Sequence, residues 1–378
     1  MSPLPPLVEP VAELSAAERE RTARHHVLAP LGELGQRRLA AAHVAIVGAG
    51  GLGSPTVLAL AAAGVGTLAV IDDDVVELSN LQRQLMHRIR DVGTPKAESA
   101  ARAAADLAPE ARVIQVRERL TAENAERILS GADVVLDGSD TFDTREAVAA
   151  ACERLGVPLV WGTVQSFDAQ VTVFWSDPPA GAPAVRLSDL YPTGSAGDLP
   201  TCAEVGVLGS LCLQVGALMA TQAIQLIAGI GEPLLGRILV IDGLRARQHE
   251  VPLRGRPAHL PAPEAAPRAR FRASDLAAAL ATPEPPLVVD VREDHEVREG
   301  MIAGAVHVPL GALRADPDDA ARRVRDAADG RRIAVICRGG VRSAEAVSLL
   351  GGRGVDAVSV EGGMLAWTGP VELPEAVG

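Results

Sequence analysis

The stretch His43-Val44-Ala45-Ile46-Val47-Gly48-Ala49-Gly50-Gly51-Leu52-Gly53 decides how this chain folds. His43–Val47 is an apolar run of strand length, and an Ala/Leu-rich helical pattern extends beyond the glycines to about Ala63. Gly48, Gly50 and Gly53 fit the spacing G-x-G-x-x-G. In a strand–turn–helix unit the first glycine permits the tight turn, the second lets a phosphate approach the backbone, and the third packs the helix on the sheet. Phosphate then sits at a helix N-terminus, where unpaired N–H groups and the helix dipole favour anions. The next strand, Thr67–Ile71, ends in Asp72-Asp73-Asp74. A carboxylate there can hold ribose hydroxyls. The glycines alone are weak evidence, since a Gly-rich turn can be purely structural. The order strand, turn, helix, strand, Asp is the feature that points to a nucleotide.

Outward from this unit, Arg112–Val116, Asp133–Asp137 and Pro158–Gly162 read as strands, with helical patterns at about 97–107, 121–129 and 144–155 between them. Strands alternating with helices predict an α/β fold with a parallel, doubly wound, Rossmann-like sheet. Gln170–Trp175 and Arg237–Ile241 look like later strands. Asp177–Pro200 is a long loop rich in Pro, Gly and Ser, and Leu253–Arg270 holds four prolines among Ala and Arg, the composition of a semi-rigid linker. A second α/β pattern begins after it. Its strands are Leu287–Val291, Ala305–Pro309, Arg332–Ile336 and Ala357–Val360, and its helices lie near 274–280, 317–328 and 343–351. The expected organisation is a lead over residues 1–20, a nucleotide domain over 21–250, a linker over 251–271 and a smaller α/β domain over 272–378.

Composition removes several classes. The 378 residues carry 36 basic against 48 acidic groups, net -12, and the charge is spread along both halves. That balance argues against nucleic-acid binding, which relies on phosphate neutralisation. Only one basic residue, Lys96, is a lysine. Four cysteines in this length cannot form a disulfide framework, and Met1–Pro10 has no signal-peptide pattern, so a cytoplasmic protein is expected. Gly206–Gly231 is uncharged and long enough to span a bilayer. Its three glutamines, several glycines and flanking Glu204 and Glu232 fit a helix buried in a core or dimer interface better, so no membrane partner is expected.

A dinucleotide-dependent dehydrogenase would satisfy the glycine turn. It does not account for the residues further along the chain: Ser79-Asn80-Leu81-Gln82-Arg83-Gln84, then Lys96, then Asp137-Gly138-Ser139-Asp140 at another strand end. Arg, Lys and Asp converging on a phosphate cradle suit phosphoryl chemistry. The cations can neutralise charge on the phosphates and Asp140 can hold Mg2+.

These residues, together with Arg24-His25, Val92-Gly93-x-x-Lys96-x-Glu98-Ser99-Ala100 and Thr201-Cys202-Ala203-Glu204-x-Gly206-Val207, resemble the MoeB/ThiF adenylyltransferases, bacterial relatives of ubiquitin-activating enzymes. The resemblance runs from about residue 20 to 250. It implies a homodimer that binds ATP and Mg2+ and adenylates the C-terminal glycine of a small ubiquitin-like sulfur carrier ending in Gly-Gly. Matching positions imply Gly48, Gly50, Gly51 and Gly53 at the nucleotide, with Asn80 and Gln84. They imply Asp72 on the ribose, Arg83 and Lys96 on the phosphates, Asp140 on the metal, and Arg24 reaching the partner subunit's ATP. Cys202 matches a cysteine that in some relatives bonds the activated carrier; a small buried residue is the plain alternative. Cys152 and Cys212 lie in apolar helical patterns and are expected in the core. The chain departs from the family at Thr141, where Asn is frequent, and at Ser166, near a frequent Arg. It also departs at Arg186–Asp189 and His259–Ala262, where many members hold Zn2+ through two Cys-x-x-Cys pairs. Without those thiolates no zinc is expected.

The second domain has its own centre. Cys337-Arg338-Gly339-Gly340-Val341-Arg342-Ser343 comes after a strand and opens a helix. Backbone N–H groups, a helix N-terminus and two arginines all favour a thiolate. With Asp290-Val291-Arg292-Glu293, Gly300-x-Ile302-x-Gly304-Ala305-x-His307-x-Pro309 and Glu361-Gly362-Gly363-x-x-x-Trp367, the loop resembles a rhodanese over about 272–370. The resemblance implies a persulfide on Cys337. Asp290, Arg292 and His307 are expected to be structural. An adenylyltransferase followed by a rhodanese resembles the MoeZ and MoeB–rhodanese fusion family. That implies sulfur transfer from thiosulfate or a cysteine-desulfurase-derived donor to make a carrier thiocarboxylate, in molybdopterin, thiamin or related synthesis. Two other readings stand beside it: an NAD-linked oxidoreductase, and a non-catalytic sulfur-relay or carrier-docking scaffold.

Overall fold

The computed structural model describes residues 4–191, 206–255, 271–298 and 300–373. The chain forms two compact units, which divide within the Pro-rich stretch. The larger is built on an eight-stranded sheet: β1 His43–Val47, β2 Thr67–Ile71, β3 Arg112–Val116, β4 Val134–Asp137, β5 Leu159–Gln165, β6 Asp168–Phe174, β7 Arg237–Asp242 and β8 Arg247–Pro252, in the order β3-β2-β1-β4-β5-β6-β7-β8. The five strands from β3 to β5 are mutually parallel, as the alternating pattern predicts. The remaining pairings are antiparallel. The reason is connection length. β5 and β6 join through Ser166-Phe167 alone, since Gln165 pairs with Asp168, and a parallel return needs a crossover of a dozen residues or more. Ser166 takes the left-handed φ of 53° at that turn. β8 is exposed along its whole length, an edge strand of Arg, Gln, His and Glu ending in Pro252. Its lack of apolar alternation hid it from sequence reading, and its charges suit an unpaired edge.

The strand order reverses at β1, which lies between β2 and β4. Register aligns Val47 with Ile71 on one side and Asp137 on the other, and Asp137 with Trp161. The glycine turn, the Asp72–Asp74 run and the Gly138–Asp140 run therefore emerge together at the carboxyl edge, where open α/β sheets bind ligands.

The uncharged segment forms the helix Gly209–Ala228, long and apolar enough to cross a membrane by composition, with 61% of its most apolar window buried inside the unit. It lies against the Gly53–Ala63 helix so closely that a Cβ on Gly216 would come 2.4 Å from Pro55. Thr56 Oγ1 donates to the Gly216 carbonyl at 3.1 Å. Gln222 Oε1 accepts the Leu234 amide at 2.7 Å, so a polar group inside this apolar face has its partner. The lead packs here too: the Leu7 amide donates to Leu226 O and the Val11 amide to Arg37 O. β8 reaches Pro252 and Leu253 is buried, so this unit runs into the first residues of the Pro-rich stretch.

The smaller unit holds β9 Phe271–Arg272, β10 Leu287–Asp290, β11 Met301–Ile302, β12 Val306–His307, β13 Ile333–Ile336, β14 Ala357–Glu361 and β15 Val371–Glu372. Five strands make a parallel sheet in the order β12-β10-β13-β14-β9, and β11 and β15 form a separate antiparallel pair. β10 and β13 are buried at every residue, the pattern of central parallel strands.

Candidate functional site

A cavity of about 450 Å3 opens at the carboxyl edge of the larger sheet. Its lining includes Gly48, Gly50, Gly51, Asp72, Asn80, Arg83, Gln84, Lys96 and Asp140. The structure thus brings together residues far apart in the chain, from the glycine turn to the end of β4. Gly53 stands behind them, with the backbone oxygen of Gly48 only 1.7 Å from where a Cβ would be. Among the described residues, a Cβ at Gly50 would meet only Gln84 Nε2, at 3.8 Å. The third glycine is filled by protein, while the second faces open space, as a phosphate-receiving turn requires.

Asp72 Oδ2 accepts the Ala49 amide at 2.7 Å and Oδ1 accepts the Asp74 amide at 2.9 Å. Burial pushes its carboxyl up, against the opposing pull of Lys96 and those two amides. Lys96, the first residue of the Lys96–Leu107 helix, is 7% exposed, and its Nζ lies 2.7 Å from Asp74 Oδ2. Arg83 Nη1 donates to Ser79 O at 3.3 Å. Asn80 is buried, and its side chain caps its own turn by accepting the Glu77 amide. Gln84 is 3% exposed and its Oε1 has no partner among the described residues, a buried acceptor at the cavity wall. Asp140 is exposed at the start of the Phe142–Leu155 helix; Thr141, at the position where the family often carries Asn, donates to Thr144 Oγ1 at 2.7 Å. Arg24 lies exposed on the short Ala23–His26 helix and does not line the cavity of its own chain. Cys202 falls outside the described residues, as do His259–Ala262.

The other stretch where zinc thiolates could have stood is held by protein. Leu187 is buried, the Arg186 amide donates to Asp189 Oδ2 at 2.8 Å, and Tyr191 packs edge-on against Phe142 and Trp161. Cys152 is buried and burial pushes its thiol far up, so it is an inert core residue. Cys212 is buried as expected, and it also lines the cavity, a position its apolar pattern did not reveal.

Sequence reading missed Arg145. It sits in the first turn of the Phe142–Leu155 helix and is 8% exposed. Its guanidinium donates to Ser139 O at 3.2 and 2.9 Å and to Thr163 Oγ1 at 3.2 Å, and lies 5.5 Å over the Trp161 ring. It also opposes the burial that pushes the Asp137 carboxyl up. Arg145 therefore fixes the turn that carries Asp140. No local motif announced it, because its partners lie on β5 and the turn after β4.

In the smaller unit, Cys337 directly follows β13 and is 1% exposed. The Gly340 amide donates to its sulfur at 3.0 Å, and Ser343 Oγ lies 3.5 Å away, itself 2.9 Å from Ser359 Oγ. The turn holds because Gly340 takes φ of 105° and Gly363 packs against the Cys337 carbonyl. Arg338 is exposed and its carbonyl accepts the Leu365 amide. Gly339 continues the turn and Val341 begins the Val341–Gly351 helix. Arg342 feels Cys337, and both its terminal nitrogens are forked onto Glu296 at 2.6 Å, a partner the sequence did not show. That bond pushes its pKa still higher. Arg292 is locked on Asp290 and on Gly300 O, and His307 Nε2 is satisfied by Arg292 O at 2.8 Å.

Fold and geometry define a class: a nucleotide-binding α/β unit with basic side chains, Arg83 and Lys96 among them, and acids around its cavity, joined in one chain to a small parallel α/β unit in which a backbone amide donates to a cysteine sulfur. The sequence pattern of the ThiF family matches residues 22–261, and that of the rhodanese-like domain matches residues 272–370. The chain is 41% identical to the probable adenylyltransferase/sulfurtransferase MoeZ of Mycobacterium tuberculosis, over 96% of each chain. It is 33% identical to adenylyltransferase and sulfurtransferase MOCS3-1 of Zea mays over 95% of this chain and 83% of that one. With the SAMP-activating enzyme E1 of Haloferax volcanii it shares 44% identity over 65% of this chain and 88% of that one. Among solved structures, E. coli MccB with MccA-N7isoASN superposes with a TM-score of 0.56 at 21% identity, covering 63% of this chain and 73% of that one, a likeness of fold. The chain belongs to the ThiF family, with a rhodanese-like domain after it, and is an adenylyltransferase and sulfurtransferase. Membership implies the use of ATP.

Proposed function

We propose that the larger unit adenylates the C-terminal glycine of a small ubiquitin-like sulfur carrier and that Cys337 then delivers sulfur to it. The observation that carries this reading is one cavity lined by the glycine turn, Arg83, Lys96 and Asp140 together. ATP fits it: Gly50 leaves room for phosphate, Arg83 and Lys96 line the same cavity, and Gln84 Oε1 is a buried acceptor without a partner among the described residues. In this reading Asp72 holds the ribose, Arg83 and Lys96 steady the phosphates as charge develops, and Asn80 and Gln84 shape the wall. Asp140 would hold Mg2+, which supplies charge neutralisation at the phosphates. Arg24, outside the cavity of its own chain, serves the partner subunit of a homodimer.

The carrier carboxylate attacks the α-phosphate, forming an acyl-adenylate as pyrophosphate leaves. The outer sulfur of a Cys337 persulfide, loaded from thiosulfate or a cysteine desulfurase, attacks the acyl carbon and AMP leaves. A thiol, for which Cys202 is the candidate, then attacks the Cys337 sulfur. The thiocarboxylate departs and a disulfide remains for an external thiol to reopen. Tethering both activities through the Pro-rich stretch raises the effective concentration of persulfide.

The test is ATP–pyrophosphate exchange by the full chain with and without a carrier ending in Gly-Gly. Exchange that requires the carrier is expected, and Lys96→Ala should lower it by at least ~100-fold while thiosulfate–cyanide activity persists. NADH binding with no exchange would overturn the reading in favour of an oxidoreductase, and absence of both would favour a scaffold.

A further inference from the structure

One buried side chain outside the cavity lining grips the glycine turn from behind. Ala49 stands between Gly48 and Gly50 and is itself fully buried. Its amide donates to Asp72 Oδ2 at 2.7 Å, and its carbonyl lies 3.1 Å from His87 Nε2. His87 comes three residues after Gln84 and is 4% exposed. A carbonyl only accepts, so Nε2 must carry a proton. The other ring nitrogen lies 2.9 Å from Ser99 Oγ, on the Lys96–Leu107 helix. Ser99 is in turn anchored by Asp91 Oδ2 at 3.0 Å and Arg102 Nη2 at 3.0 Å. Burial pushes the imidazole below its ordinary range, Lys96 and Arg102 add to that, and the Ala49 carbonyl and Asp91 oppose it. Nε2–H goes to the Ala49 carbonyl, while Nδ1 and Asp91 Oδ2 share the single proton of the Ser99 hydroxyl.

We propose that His87 is a positioning residue for the phosphate-binding turn: its bond to the Ala49 oxygen, opposite the Asp72 bond to the Ala49 amide, holds Gly48–Gly50 in the shape that receives ATP. This rests on the ATP reading above. Without the bond, the Ala49 carbonyl is buried and unpaired, and the adjoining peptide must rotate to find a partner, turning its amides away from the phosphates. His87 thereby ties the turn to the helix that begins with Lys96, so the cradle and its cation are set by one network.

Two substitutions separate this role from packing. The side-chain nitrogen of glutamine lies as far from the backbone as Nε2 and can still donate to Ala49. That of asparagine matches Nδ1 and can reach only Ser99. ATP with Mg2+ is titrated calorimetrically into the full chain, with melting and thiosulfate–cyanide activity measured alongside. His87→Gln should bind within about threefold of wild type and His87→Asn should bind at least ~10-fold more weakly. Ser99→Ala, which keeps the imidazole but removes the group that orients it, should also bind more weakly, which keeps the question open to test if His87→Asn does not fold. Equal binding by the two His87 variants, better binding by His87→Asn, or unchanged binding by Ser99→Ala would overturn the proposal. Wild type that binds no ATP would instead overturn the ATP reading.

Discussion

Gly53→Ala and Gly50→Ala are the same chemical change three residues apart, and the structure predicts opposite consequences. A methyl at Gly53 would lie 1.7 Å from the Gly48 carbonyl oxygen and 2.8 Å from its carbon. Both atoms are backbone, so no rotamer change relieves the clash. The Gly53–Ala63 helix would have to withdraw from the end of β1 by about 1.5 Å, in a region packed as densely as an organic crystal. Overpacking of this kind costs about 3 kcal/mol or more, which in a unit of this size lowers the melting temperature by roughly 6–12 °C. At Gly50 the methyl meets, among the described residues, only Gln84 Nε2, at 3.8 Å. Stability should change by no more than about 1 kcal/mol, since the φ there is not left-handed. The same methyl occupies the space a phosphate would take. ATP binding should weaken by at least ~10-fold, or about 1.4 kcal/mol. Circular-dichroism melts of the full chain read the first quantity and ATP titration reads the second, with thiosulfate–cyanide activity as the control for the smaller unit. If Gly53→Ala melts with wild type, or Gly50→Ala binds ATP as wild type does, the division of labour between these glycines is wrong.

The ion pairs yield two further perturbations. Glu296→Gln removes the charge that neutralises Arg342 beside the Cys337 loop, so the anion thiosulfate should show a KM about threefold lower, and an unchanged or higher KM counts against an electrostatic role for the pair. Asp91 is buried, which alone would raise its pKa, yet the Arg88 amide, Ser99 and Arg102 outweigh burial and hold it below the ordinary 3.8. A depressed folded value means the unfolded chain takes up the proton first, so its stabilisation is complete at neutral pH and is lost as pH falls below about 4. Urea midpoints of wild type and Asp91→Asn should differ at pH ~7 and converge toward pH ~3; a gap that persists at the lower pH assigns the effect to something other than charge.

Sequence reveals here the features that local backbone geometry determines. The G-x-G-x-x-G turn, the acid after β2 and the cysteine before a helix each carry their conformation within a few residues, and the structure places them where the pattern expects. Arg145, His87 and Glu296 were not legible, because each matters through a partner on another element: Ser139 and Thr163 for Arg145, Ala49 and Ser99 for His87, Arg342 for Glu296. The last strand of the sheet escaped for a different reason: β8 has no buried face, so hydrophobic periodicity has nothing to record.

Lys96 belongs to both groups. Composition marks it, as the one lysine among 36 basic residues, but composition cannot say why an arginine would fail there. The structure supplies the reason. The side chain is 9% exposed, its stem is enclosed at the start of a helix, and its ammonium meets a single oxygen of Asp74, whose own side chain is 68% exposed. A guanidinium would need width for its planar fork and would grip that carboxylate through two bonds. An ammonium on a flexible four-carbon stem makes one strong contact and can exchange it for a phosphate oxygen by turning about its own bonds. The other 35 basic positions of the chain are all arginine. At this one, a buried, narrow site that must hold a cation without fixing its direction selects the point charge.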